Sequence, residues 1–198
     1  MDGLKKLWTD LSALDGREVA RRTGAQFDEG SYLVPFLGSM YLVDPDARSI
    51  KASNTESSEL GAGGSTNRTL AILTYLVVGE MRPRVRTWIT EKELPGGSVF
   101  FQGPHVIPVQ PIIGEFGKNV AAFVIRGVSL GGVQSEFGDG SVEFPVLPGL
   151  QMCLALWEAD DEFPAACTVM FDKSFSGMFA LDVVLALVSA VVEQIVAA

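Results

Sequence analysis

Between Trp157 and Asp172 the chain gathers five carboxylates around two apolar stretches. Leu150 to Trp157 is largely apolar and runs straight into Glu158, Asp160, Asp161 and Glu162; Ala165 to Phe171 is apolar and ends on Asp172. Carboxylates this close repel one another unless water, a cation or hydrogen-bond donors absorb the charge. Their oxygens suit a hard cation, although the spacing departs from the DxDxDG calcium loop. Two carboxylates about 5 to 9 Å apart would also serve acid–base hydrolysis. Against both stands a plainer reading, a solvated acidic turn between two strands with Pro164 setting its exit.

His105 is the one histidine, in a loop with Pro104, Pro108 and Pro111. A histidine held this way could be an axial ligand to a haem or corrinoid, or a general base near neutral pH. The plainer alternative is an exposed or hydrogen-bonded loop residue. No CxxCH occurs, which excludes covalent haem attachment. Asp139 lies in Phe137-Gly138-Asp139-Gly140, where glycines let amides approach a ligand. GxxxxGK[ST] and GxGxxG are absent, so a turn is the simpler reading. Asp172 either caps the next segment or points into a site, and capping is the commoner role. The candidate ligand-binding residues are therefore His105, Glu158, Asp160, Glu162, Asp139 and Asp172. No catalytic residue, metal ligand or cofactor is assigned.

Nucleophilic catalysis finds little support, since GxSxG and SxxK are missing. Cys153 and Cys167 sit in the two apolar stretches and read as small buried hydrophobes. Without a CxxC, neither a zinc ribbon nor an iron–sulfur cluster is expected. Two cysteines and an N-terminus without targeting features point to a reducing cytoplasm.

The elements that must position these residues follow from periodicity. Leu4, Leu7, Leu11 and Leu14 predict a helix over 3–14, and Arg17 to Thr23 a second, ending on Gly24. Tyr32 to Phe36 and Met40 to Val43 predict a hairpin around Gly38-Ser39, with a third strand starting at Ser49-Ile50. Residues 52–65 are polar and glycine-rich and read as a mobile loop. Thr66 to Val78, capped by Ser65 or Thr66, is apolar nearly all round and predicts a central helix. Val85 to Thr90 reads as a strand. Three prolines within 102–111 are expected to exclude regular structure there. Asn119 to Leu130 predicts a helix, and strands are expected near 142–146, 150–157 and 165–171. Met178 to Ala198 is almost long enough to span a membrane. Asp182, Ser189 and Glu193 fall on one stripe of it, and no Lys or Arg flanks it, so a buried amphipathic helix is expected.

The chain has 198 residues, 47% of them hydrophobic, with a mean hydropathy of +0.28. That suits one domain over residues 1–198 with a substantial core. A formal charge of −9 argues against nucleic acid and against anionic membrane surfaces as partners. The order of elements predicts an α+β fold, a mixed or mostly antiparallel sheet packed by a central and a C-terminal helix.

A set of short motifs also resembles one family. Trp157-Glu158-x-Asp160-x-Glu162-Phe163-Pro164 followed by Phe171-Asp172 is similar to the signature of the DUF3786 domain. Tyr32 to Phe36 with Leu37-Gly38, Tyr41 to Pro45, Glu93 to Gly97, Phe100 to His105, Gly131-Gly132 and Phe137-Gly138-Asp139 agree with it in order. The resemblance runs from about residue 5 to the end. It implies a prokaryotic family without an agreed activity, found mainly in anaerobes, with some members fused to a cysteine-rich iron–sulfur module that this chain lacks. From that context, and from His105, the leading expectation is a cytoplasmic ligand-binding or accessory protein for a cofactor such as a tetrapyrrole. The alternatives are a hydrolase or metal-assisted enzyme using His105 with Glu158, Asp160 and Glu162, and a protein-interaction module, including a homodimer.

Overall fold

The structure, a computed structural model, describes residues 2–53 and 65–197. The chain opens with α1 (Asp2–Ser12) and α2 (Gly16–Thr23). Asp15 caps α2 by accepting the Glu18 amide at 2.9 Å, and Gly24 ends it at φ 73°, a left-handed position that costs glycine nothing.

Four short strands follow: β1 (Gln26–Asp28), β2 (Ser31–Phe36), β3 (Ser39–Asp44) and β4 (Ser49–Ala52). They form an antiparallel meander in sequence order. Tyr32, Val34, Phe36, Tyr41 and Val43 are buried at alternate positions, the period of two that a half-buried strand imposes. The β2–β3 turn is Leu37-Gly38, with φ of 44° and 69°. A two-residue hairpin loop of type I′ needs positive φ at both positions. Leu37 accepts that backbone and buries its side chain, 1% exposed. The loop read at 52–65 falls, from 54 to 64, outside the described residues.

Helix α3 (Thr66–Val78) is capped by the Ser65 hydroxyl and buries Ala71 to Leu76. Its last carbonyls are bound by one side chain: Arg22 donates to Leu76 O (2.7 Å), Val77 O (3.1 Å) and Gly79 O. A cation at a helix C-terminus is favoured by the macrodipole as well as by the bonds. Helix α7 (Leu181–Val196) packs along α3. Asp182 and Glu193 are exposed and Ser189 half-buried, as the stripe predicts. Glu193 accepts from Ser65 and from Asn67 (2.7 Å), tying α7 to the start of α3. Among the described residues, no helix is long and apolar enough to cross a membrane.

The second sheet holds β5 (Trp88–Thr90), β6 (Val133–Ser135), β7 (Gly140–Leu147), β8 (Leu150–Trp157) and β9 (Ala166–Asp172). Its order is β5-β9-β8-β7-β6, antiparallel throughout. Met152 to Leu156 of β8 are all buried, so both faces of this central strand are covered. Helix α4 (Gly97–Phe100) is a single turn, α5 (Gln110–Phe116) lies on β9 and α7, and α6 (Val120–Ser129) lies on β7. The sheets meet where β2 touches β7. One continuous apolar core runs through these layers, as in an α+β single domain. The strands thus divide between two sheets rather than joining one.

Two local expectations need correction. The proline-rich stretch is not irregular: Gly103–His105 is a 3-10 turn, and α5 begins at Gln110 with Pro111 in its first turn. A proline there forfeits no helical hydrogen bond, because the first amides of a helix have no internal partner. The strand expected over 85–90 keeps only Trp88–Thr90. Arg86 has φ of 59°, outside the extended region.

Candidate functional site

The acidic turn between β8 and β9 faces solvent: Glu158, Asp160, Asp161 and Glu162 are all exposed. Asp160 Oδ1 accepts the amides of Glu162 (2.8 Å) and Phe163 (2.6 Å). Those two bonds, Phe163 first, hold its carboxyl below the usual aspartate range. Asp139 is exposed too, and its Oδ2 accepts the Glu158 amide at 2.8 Å, clamping the 137–140 turn against the end of β8. Asp172 is fully buried. It accepts from Val85 N (3.0 Å), Arg86 N (2.7 Å) and Ser174 N (3.0 Å), with Arg84 Nε 3.9 Å away. It therefore caps the 3-10 turn Lys173–Phe175 and also fastens the segment that leads into β5. Among the described residues no group of three His, Cys, Asp or Glu side chains is arranged to hold a metal ion.

His105 is exposed at the end of its 3-10 turn. Its ring stacks on Phe100, with centroids 4.5 Å apart and planes 8° from parallel. Of the candidates, then, Asp139 and Glu158 are brought together, Asp160 and Glu162 share one turn, and Asp172 lies at the far end of β9. Among the described residues no hydrogen bond or ion pair joins His105 to any of these carboxylates.

Next to His105 lies a groove of about 300 Å3. It runs between the segment carrying Phe101, Val106, Ile107 and Val109 and the Cys167–Val169 stretch of β9, with Glu91 and Lys92 also lining it. Its origin is the early end of β5. That strand pairs only with Met170 to Asp172. At Thr90 the chain turns into a 3-10 helix, Glu91–Glu93, and the Glu93 carboxylate accepts the Thr90 amide at 2.9 Å. The rest of the β9 edge is left without a neighbouring strand.

The direction of its backbone groups follows from the ladder. The Lys173 amide donates to Thr87 O at 2.8 Å, so Lys173 points to the β5 side. Backbone groups alternate sides along an antiparallel strand, so Phe171, Val169 and Cys167 point the same way. On the other flank, Asp139 N donates to Leu156 O at 3.0 Å. That turns Leu156 toward β7 and leaves Ala155 and Trp157 to bond Thr168 and Ala166, which agrees. Among the described residues no hydrogen bond reaches the Cys167 or Val169 backbone from the groove side. Burial pushes the Cys167 thiol up to about 12. It is therefore neutral at physiological pH and a poor nucleophile.

Sequence reasoning missed this groove. The apolar residues of 99–109 carried a signal, being concentrated in a segment assigned no core role. The shortness of β5 had none, because it is decided by the turn at Glu91.

An antiparallel α+β domain with a groove at a sheet edge is thus the class of protein defined. A family model described as a domain of unknown function (DUF3786) matches residues 15–194, and the chain belongs to that family. No curated protein and no solved structure matches it.

Proposed function

We propose that this chain is a ligand-binding or accessory protein whose ligand occupies the groove beside β9. The observation that carries the reading is the groove itself, a concave space of about 300 Å3 in which Phe101, Val106, Ile107 and Val109 form an apolar wall and Glu91, Lys92 and Thr168 add polar groups. Ligand sites have that composition. A hollow of about 400 Å3 lies on the first sheet, but four of its six lining residues, Gln26, Asp28, Glu29 and Ser31, are polar. Of the carboxylates that suggested hydrolysis, Glu158, Asp160 and Glu162, Asp160 is engaged by two backbone amides, and among the described residues no hydrogen bond joins any of the three to His105. Two free thiols, Cys153 and Cys167, fit a reducing compartment such as the cytoplasm.

A tetrapyrrole is the finer form of this expectation, and it has a structural requirement. His105 does not line the groove, and Phe100 covers one face of its ring. A macrocycle reaching the imidazole from the groove must lie across Val106, which is 59% exposed. Reconstitution with haemin and with a corrinoid checks it. A visible band that disappears in His105→Ala supports the tetrapyrrole, and no band with either rejects it.

The reading as a whole is tested by native mass spectrometry on protein from its own host. Val106→Asp puts a charge on the groove wall at an exposed position, where substitution rarely costs more than about 0.5 kcal/mol of stability. The wild type is expected to carry an added mass that the variant loses. An added mass retained in full by the variant places the ligand elsewhere and refutes the assignment.

A further inference from the structure

We propose that the groove accepts an extended segment of a partner protein as an added antiparallel strand on β9, with basic residues following the strand. This rests on the groove being the binding site, and names the class of ligand. The edge is chemically specific. Cys167 and Val169 each turn an N–H and a C=O toward the groove with no protein partner among the described residues; Cys167 is half-buried, whereas Val169 is 2% exposed, so a strand reaches it only when the wall of Phe101, Val106 and Ile107 moves outward. Buried backbone polar groups are almost always paired. An extended peptide pairs both residues at once, while alternate side chains meet the apolar wall of Phe101, Val106 and Ile107. Natural edges are commonly blunted by charge, proline or bulges. Residues 166–169 are Ala-Cys-Thr-Val, with none of these.

Direction and charge follow from the same geometry. A strand continuing the course of β5 passes Val169 before Cys167, so its C-terminal end arrives at the β8–β9 turn. There Glu158, Asp160, Asp161 and Glu162 are exposed, with Phe163 beside them, itself 66% exposed. Carboxylates and an aromatic face together recognise Lys or Arg. A second copy of this chain is a poor occupant, because a chain of formal charge −9 would bring further acidic surface against the acidic β8–β9 turn.

The test is selection of a displayed random dodecapeptide library on the wild-type protein, with Val106→Asp as counter-selection. Enriched peptides are expected to alternate apolar residues and to end in Lys or Arg. Their binding should weaken at least tenfold when Asp161→Lys and Glu162→Lys are combined. On binding, amide exchange should slow at Cys167 and Val169. N-methylation of the peptide at amides facing β9 should abolish binding, while N-methylation at the alternate amides leaves it intact. Peptides that need the groove yet neither slow those two amides nor respond to N-methylation would overturn strand addition and leave the groove as the site. Failure to enrich any peptide over the Val106→Asp background would overturn a peptide ligand. If the host-derived added mass is also absent from the groove, the ligand-binding reading falls as well.

Discussion

Asp172 joins three parts of the chain through one carboxylate. Burial alone would raise its pKa, but the amides of Val85, Ser174 and Arg86 together hold it below the ordinary value near 3.8. A carboxyl depressed in the folded state contributes stability above its unfolded pKa, and that contribution is lost as pH falls through the folded value. Asp172→Asn keeps the shape and removes the charge-assisted bonds. It should lower stability by about 2 kcal/mol at pH 7, and the gap from wild type should narrow below about pH 4. Urea titrations at pH 7 and pH 3 check this; an equal gap at both would contradict it. The capping role of Asp172 was legible in the sequence, because Ser174 is a near neighbour. Its bonds to Val85 and Arg86 were not, because tertiary packing brings them from far along the chain. His105 shows the converse. Its rarity drew attention, but its stacking on Phe100 depends on a turn that proline counting did not foresee.

At the scale of elements, the two glycine turns of the first sheet make a controlled comparison. Gly30 (φ 84°) has open space where a Cβ would go, whereas a Cβ on Gly38 (φ 69°) would lie 2.6 Å from the Leu130 carbonyl oxygen, just beyond α6. Gly30→Ala should therefore cost only the left-handed backbone penalty, about 1–2 kcal/mol. Gly38→Ala should cost that and a backbone clash, with a clearly larger drop in Tm; equal drops would show that the approach of the β2–β3 turn to α6 relaxes freely. The hairpin, the Ser65-capped α3 and the α7 stripe were legible because each is set by local periodicity and capping. Strands β1 and β6, three residues each, carry too short a pattern to detect. The open edge of β9 was illegible for a different reason. It depends on where β5 stops, and that is decided by Glu93 reaching back to Thr90.

At the scale of the molecule, the two sheets share one core with α3 and α7 and should unfold together. Trp8 lies in α1, Trp88 in β5 and Trp157 at the end of β8. Tryptophan fluorescence and far-ultraviolet circular dichroism should give coincident urea transitions; separated transitions would contradict a single cooperative unit. The charge of −9 should also prevent measurable binding to duplex DNA even at low salt, where the phosphate contribution is strongest, and a salt-sensitive mobility shift would refute that.

The central claim is that ligand is taken beside β9 and not on the first sheet. It is tested most directly by placing the photo-crosslinking residue p-azidophenylalanine at Val106 or, separately, at Leu42, and irradiating the host cells. Both positions are well exposed, at 59% and 42%; Val106 lines the groove beside β9 and Leu42 the hollow on the first sheet. Adducts at position 106 with none at position 42 are the predicted result. Adducts at position 42 with none at position 106 would contradict the account.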